Sequence, residues 1–168
     1  MTECGNHIVQ YPARYSVCTG CKSCQLLCSL NQDGVTGPQH GGIQVKHGEL
    51  DHMYHTVLAC RHCLDYPCYA ACPKKDEAMC LDKETNIVFV NREGCIGCGA
   101  CFRACKFEPS RIMLDKKNRK AKKCDLCRGR RDGPICVRYC PARVLGLSAD
   151  PLPYEPDTEG VCVEYEGN

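Results

Sequence analysis

The sequence predicts an α+β fold, rich in loops, with short helices and β-hairpins built around one small cysteine unit used four times. Three observations predict it. Cysteine makes up 19 of 168 residues, and sixteen of these fall into four groups of four at short, regular spacings. Leu, Ile, Val and Phe together number only 32, too few for apolar burial alone to hold a chain of this length. The stretches between the groups are brief and mixed rather than long and periodic. The formal charge is +2, so disorder driven by high net charge does not fit.

Along the chain, the first group is Cys18, Cys21, Cys24 and Cys28, spaced C-x2-C-x2-C-x3-C. A short helical turn is expected after it, with Leu26, Leu27 and Leu30 packing inward. Ile43 to Val45 and Thr56 to Leu58 read as short strands beside the second group. That group is Cys60, Cys63, Cys68 and Cys72, with C-x2-C-x4-C-x3-C spacing. Met79 to Leu81 and Ile87 to Val90 read as a hairpin, joined through the polar residues Asp82 to Asn86. The third group, Cys95, Cys98, Cys101 and Cys105, repeats the spacing of the first and again implies a helical turn. The fourth is Cys124, Cys127, Cys136 and Cys140, with a wider middle gap. Cys72 and Cys140 precede Pro73 and Pro141, so one unit recurs four times. From Ser148 to Asn168 the composition turns acidic and proline-containing, an extension outside the repeat.

The spacing carries the chemistry. A cubane cluster has four irons, and each takes one thiolate. Three cysteines in C-x2-C-x2-C can wrap one cluster, while the fourth begins a helix leading away. In two-cluster ferredoxins that fourth cysteine ligates the other cluster. The rival is structural zinc, which uses two C-x2-C pairs. Taken alone, the fourth group suits zinc as well. The first and third groups, with three cysteines in seven residues, suit a cubane better. Residues Met1 to Tyr15 show no basic start followed by an apolar run, and no apolar run of eighteen residues crosses a membrane. The expected setting is therefore a reducing cytoplasm, where dense cysteine means metal rather than disulfides.

The stretches CTGCKSCQLLCS at 18–29, CRHCLDYPCYAACP at 60–73, CIGCGACFRAC at 95–105 and KCDLCRGRRDGPICVRYCP at 123–141 resemble the four-cluster ferredoxin-type β-subunits of the dimethyl sulfoxide reductase and formate dehydrogenase group. The usual proline after the third group is replaced by Lys106. The resemblance implies four [4Fe–4S] clusters in two pseudo-symmetric, bacterial ferredoxin-like halves. One half comes from 1–35 and 106–147, the other from 55–105, making a domain of 1–147 with 148–168 as the extension. It also implies cross-over ligation. Cys18, Cys21 and Cys24 join Cys140, and Cys60, Cys63 and Cys68 join Cys105. Cys95, Cys98 and Cys101 join Cys72, and Cys124, Cys127 and Cys136 join Cys28.

The same resemblance implies an electron-transfer subunit with no catalytic site of its own. Its partner is a large oxidoreductase subunit with a molybdenum or tungsten pterin. The small size and acidic tail resemble the compact partners of tungsten aldehyde oxidoreductases. A further electron-acceptor subunit or self-association extends the path. The alternatives are a free polyferredoxin shuttle, or a subunit of a hydrogenase, formate or CO dehydrogenase complex. No nucleotide fingerprint or hydrolase pattern appears.

Sixteen metal-bound thiolates remove sixteen charges and four oxidised cores return about eight, so the loaded chain is roughly −6. The basic run Lys116, Lys117, Arg119, Lys120, Lys122 and Lys123 then reads as a solvated loop, as compensation for cluster charge, or as a docking surface for an acidic partner. A nucleic-acid patch fits less well, for no recognition module accompanies it. Lys123 and Arg128 are the candidates to sit near a cluster and tune it. Cys4, Cys80 and Cys162 are left over and read as packing thiols. His40, His47, His52, His55 and His62 read as exposed or hydrogen-bonded rather than as ligands. The tail, with Tyr154 and Tyr165, is either a loose terminus or an arm laid on a partner.

Overall fold

The strands are too short to build one sheet, so they close as four separate antiparallel ribbons. The computed structural model describes residues 4–12, 17–37, 39–47 and 55–150. In chain order the elements are β1 (Ile8–Gln10), α1 (Ser23–Asp33), β2 (Ile43–Lys46), β3 (Thr56–Ala59), α2 (Pro67–Ala70) and β4 (Met79–Asp82). They continue as β5 (Ile87–Val90), α3 (Ala100–Arg103), β6 (Met113–Leu114), β7 (Ala121–Lys122), α4 (Ile135–Arg138) and β8 (Leu145–Leu147). The ribbons are β1–β8, β2–β3, β4–β5 and β6–β7. This is the mixed, loop-rich architecture expected. Among the described residues, no helix is long and apolar enough to cross a membrane. His52, Cys162, Tyr154, Tyr165 and the extension beyond Asp150 lie outside the described residues.

The expected hairpin is present, with Met79 opposite Val90 and Asp82 opposite Ile87. Its turn is held by Asp82, whose Oδ1 accepts the N–H groups of Glu84 (3.0 Å) and Thr85 (3.3 Å). The β6–β7 turn repeats this device. Asp115 Oδ1 accepts the N–H groups of Lys117 (2.8 Å) and Asn118 (3.1 Å). An aspartate that bonds to the backbone two and three residues on fixes a turn locally. The two strands foreseen beside the second group pair as well, Ile43 with Ala59 and Lys46 with Thr56.

Two apolar cores result. One gathers Ile8, Ile43, Ala59, Val144 and Leu145 around Cys24, Cys28, Cys60, Cys124 and Cys136. The other gathers Met79, Val88, Ile112 and Ala121 around Cys101. Cysteine side chains thus take up much of the volume that leucine and isoleucine fill elsewhere.

Helix α1 corrects two expectations. It runs for 11 residues, well beyond a single turn, and Gly34 ends it at φ 69 by donating its N–H to the Leu30 carbonyl (2.9 Å). Leu26 and Leu30 do not pack inward; they are 43% and 48% exposed. The reason is angular. Cys24 and Cys28 lie one turn apart on one face, and that face is turned to the core. Gln25 and Ser29 follow them inside, which puts Leu26 and Leu30 on the far side. The buried polar pair is satisfied: Ser29 Oγ donates to Leu26 O (2.7 Å) and accepts the Gly37 N–H (3.1 Å), and Gln25 Oε1 accepts the Val45 N–H (3.3 Å).

The basic run is not a uniformly solvated loop. Lys116 and Lys117 are exposed, but Lys122 and Lys123 are 3% and 4% exposed. Lys122 Nζ donates to Asp33 Oδ2 (2.6 Å) and lies 3.5 Å from Asp115 Oδ2. Asp33 also pairs with Arg92 and with His40 Nδ1 (2.8 Å). Burial pushes the Asp33 carboxyl up, but Lys122, His40 and Arg92 outweigh it and hold it below its ordinary range.

Asp33→Asn leaves the Lys122 ammonium buried with half its compensation gone. A loss of about 3–5 kcal/mol is expected, measured as a fall in the denaturant midpoint under anaerobic conditions. The double variant Asp33→Leu/Lys122→Met should recover most of it, because it removes both charges together. Asp33's own contribution is full above about pH 4 and is lost as pH falls through its lowered folded value.

Candidate metal centres

One local geometry recurs in all four cysteine groups. The third cysteine is always the second residue of a helix: Cys24 in α1, Cys68 in α2, Cys101 in α3 and Cys136 in α4. The next residue's N–H lies against that thiol and favours its anion; those of Gln25 and Val137 also donate to the carbonyls of Lys22 (2.9 Å) and Pro134 (3.1 Å). The donors are Gln25, Tyr69, Phe102 and Val137. The fourth cysteine follows at i+4: Cys28 lies within α1 on the same face, whereas Cys72, Cys105 and Cys140 stand two residues past the ends of α2, α3 and α4. After the three short helices the N–H of the fourth cysteine turns back to residue i−3: Cys72 to Tyr69 (3.1 Å), Cys105 to Phe102 (3.4 Å) and Cys140 to Val137 (3.4 Å).

The first C-x2-C of each group is equally regular. Its second intervening residue has positive φ in every case: Gly20 (67°), His62 (45°), Gly97 (72°) and Leu126 (56°). This left-handed step turns the loop back on itself. In the second and fourth groups it aims a backbone N–H at the first cysteine, from His62 to Cys60 Sγ and from Leu126 to Cys124 Sγ, both at 3.4 Å. Further N–H groups reach thiols from outside the groups. Gly42 donates to Cys28 (3.2 Å), Arg111 to Cys105 (3.3 Å) and Ala121 to Cys95 (3.4 Å). Gly42 has no room for a side chain, since an added Cβ would stand 2.5 Å from the Cys124 nitrogen.

The structure brings cysteines from different groups together. One cavity is lined by Cys95, Cys98 and Cys101 with Cys72, and by Met79, Val90 and Leu114. A second is lined by Cys60, Cys63 and Cys68 with Cys105, and by Val88 and Ile112. Each takes three thiols from one group and one from the other. In the remaining two groups Cys24 feels Cys140, then Cys18 and Cys21, while Cys136 feels Cys28 and Cys127, and then Cys24 of the first group. Among the described residues, no three Cys, His, Asp or Glu side chains converge on a single-ion position. Four thiols set around an apolar cavity, with N–H groups aimed at them, match the donor set of a cubane cluster.

Burial makes these thiols poor anions on their own. It pushes Cys24 and Cys101 up to about 12, and Cys28 and Cys63 up to about 11. Burial likewise drives Cys124 and Cys136 well above the ordinary thiol range. A metal centre reverses this, because its positive charge stabilises the thiolates and its binding releases their protons. Cys21 is the contrast: it is exposed, and the Ser23 hydroxyl lowers its pKa.

The two candidate tuning residues part company. Lys123 is buried and donates to the carbonyls of Val88 and Cys124. It lines the cavity of Cys60, Cys63, Cys68 and Cys105, and its charge reaches Cys68. Arg128 is instead held at the hairpin, pairing with Asp82 (3.2 Å) and lying 4.2 Å over the Phe89 ring. The sequence reading missed Arg61, Lys106 and Arg111, which line the same cavity as Lys123. The one signal for them was position, within or just beyond the second and third groups.

Among the histidines, His40 bonds to Asp33 and His47 meets His55 at 3.1 Å, as expected of hydrogen-bonded residues. His62 corrects that reading. It is 2% exposed, and among the described residues neither ring nitrogen has a hydrogen-bond partner. Burial, helped by Lys123 and His7, lowers its pKa to about 2, so it is neutral. An unsatisfied buried polar group costs about 1–3 kcal/mol. Cys80 is half-buried in β4, with its thiol on the Asp76 carbonyl (3.4 Å), and Cys4 forms a β-bridge with Cys63.

Residues 51–149 match the model of the 4Fe-4S dicluster domain. The chain is 40% identical over 123 residues to the polyferredoxin-like subunit of aliphatic sulfonate oxidoreductase from Pyrococcus furiosus, covering 73% of this chain and 66% of that one. It is 31% identical over 137 residues to the thiosulfate reductase electron transfer subunit PhsB of Salmonella typhi, covering 76% and 69%. It is 30% identical over 147 residues to the electron transport protein HydN of Escherichia coli, covering 77% and 82%. With its repeated thiol geometry and these relatives, the chain belongs to the 4Fe-4S dicluster domain family.

Proposed function

We propose that this chain is a non-catalytic electron-transfer subunit that carries four [4Fe–4S] clusters. It relays single electrons between a large catalytic subunit with a molybdenum or tungsten pterin, aldehyde oxidoreductase-like by preference, and a second redox partner. The carrying observation is the three-plus-one composition of the two cysteine cavities. It supports cross-over ligation throughout: Cys18, Cys21, Cys24 with Cys140; Cys60, Cys63, Cys68 with Cys105; Cys95, Cys98, Cys101 with Cys72; and Cys124, Cys127, Cys136 with Cys28. Bound clusters supply one-electron chemistry. The chain supplies burial, N–H donors and charge, which set the potentials.

The nests also follow a spatial order. Cys136 of the fourth group feels Cys24 of the first, Cys124 of the fourth feels Cys60 of the second, and Cys101 of the third feels Cys68 of the second. That supports a path running first, fourth, second, third. Its ends reach the surface. Cys21 is exposed and Val17, next to Cys18 in sequence, is 48% exposed; Cys98 is exposed and Ile96, next to Cys95, is 63% exposed. The fourth-group ligands Cys124, Cys127 and Cys136, with Cys28, are all buried, which suits an interior relay. Relatives named as subunits of a sulfonate oxidoreductase and a thiosulfate reductase support a catalytic partner.

The ligand sets are tested by single substitutions. Cys24→Ala and Cys140→Ala should each lower bound iron from about sixteen to about twelve per chain and remove the same EPR signal. Loss of different signals would overturn the cross-over. Lys123→Gln removes the buried cation beside the second nest. The midpoint potential of one cluster should fall by roughly 59 mV, a tenfold change in its reduced-to-oxidised ratio. Voltammetry with every potential unmoved would reject that role. Purification from the native source should yield a stable complex with a large pterin-bearing subunit; a lone monomer would favour a free shuttle.

A further inference from the structure

The four nests share one backbone plan but not one chemistry. At the left-handed position of the first C-x2-C loop, the first and third groups place glycine and the fourth places leucine. The second group places His62. Glycine takes that conformation without steric cost, whereas a side chain there is strained. His62 is also buried, and neither ring nitrogen has a partner among the described residues. It lines the cavity of Cys60, Cys63, Cys68 and Cys105. A side chain that is strained, buried and unsatisfied at a position where its counterparts carry no polar group points to a ligand in that cavity. A neutral imidazole carries one N–H donor, and thiolate and sulfide sulfurs of a cluster are acceptors for it.

The same cavity is lined by Arg61, Lys106, Arg111 and Lys123. The cavity of the third group has Lys74 and Arg119. Hydrogen bonds to cluster sulfurs and nearby positive charge both favour the more negative, reduced state.

We propose that His62 is a potential-setting residue, an N–H donor to the cluster held by Cys60, Cys63, Cys68 and Cys105, and that this nest is the first of the four to be reduced. The proposal rests on the four-cluster reading above. It makes the path uneven: an electron entering from either end settles at the second nest before it leaves.

The test is an EPR-monitored potentiometric titration of the full chain, loaded with iron and sulfide under anaerobic conditions. In His62→Leu the midpoint of the first-reduced cluster should fall by about 59 mV, a tenfold change in its reduced-to-oxidised ratio. His62→Asn, a residue that tolerates positive φ and keeps a side-chain N–H, should restore most of the shift. Unmoved potentials in His62→Leu, or an equal fall in both variants, would overturn the donor role. Wild-type protein labelled with ¹⁵N-histidine gives a readout that does not depend on a variant folding. Electron spin-echo modulation should show a nitrogen coupled to the first-reduced cluster, and its absence would overturn the proposal. Cys68→Ala separates the levels. Loss of the first-reduced signal supports the assignment; loss of iron with that signal intact overturns it. If iron and signal are both unchanged, the four-cluster reading itself has failed.

Discussion

A buried thiolate needs a positive partner, and the rest of this structure depends on that constraint. Cys24, Cys28, Cys101, Cys124 and Cys136 are all buried, and burial alone holds them as neutral thiols. The apolar side chains around them are too few to make the interior cohesive without the metal. Coordination supplies both needs together, charge balance for the sulfur and cross-links for the chain. The backbone contributes by placing N–H groups against the sulfurs, from helix first turns and from left-handed loop steps. Fold and metal site are therefore one structure, in which each ribbon and short helix exists largely to place a thiol or a donor.

The i, i+4 relation between the third and fourth cysteines gives the units their connectivity. In α1 both side chains leave one helical face a single turn apart; in the other units the fourth cysteine stands two residues past the helix end. In our reading the first of them faces its own nest and the second faces a neighbour's, so each short helix is shared by two nests. Four residues suffice for such a helix because packing, not propensity, stabilises it. Within this uniform plan the differences lie in side chains. The second nest collects a neutral imidazole and four cations, whereas the first ends in the exposed Cys21.

Much of this was legible from cysteine spacing and from local turn chemistry. The Met79–Asp82 and Ile87–Val90 hairpin follows from alternation around an aspartate turn, and Ile43–Lys46 with Thr56–Ala59 from short β-branched runs. The β6–β7 ribbon was not foreseen, although Leu114-Asp115-Lys116 repeats Leu81-Asp82-Lys83 and marks the same turn. The direction of α1 was misread because leucine was weighed above cysteine in choosing the inward face. The burial of Lys122 was illegible because its partner, Asp33, lies far away in sequence. His62 looked like one histidine among several; only the structure shows it without a partner and inside a cavity. The pairing of Ile8–Gln10 with Leu145–Leu147 leaves no local trace, since three-residue strands carry no pattern.

That last ribbon has a consequence for how the protein is made. Ile8 lies opposite Leu147, and His7 and Ser148 exchange backbone and side-chain hydrogen bonds across the seam. Helix α1 packs on α4 while α2 packs on α3, so the contacts nest like brackets. Chain growth delivers the inner pair complete once Cys105 has been added. The outer pair stays open until Ile135–Arg138 and the final strand have followed. Closing the outer bracket costs more loop entropy than closing the inner one. On the cross-over reading, the inner bracket can close before the outer one, and the first cysteine group then waits for the last to be made.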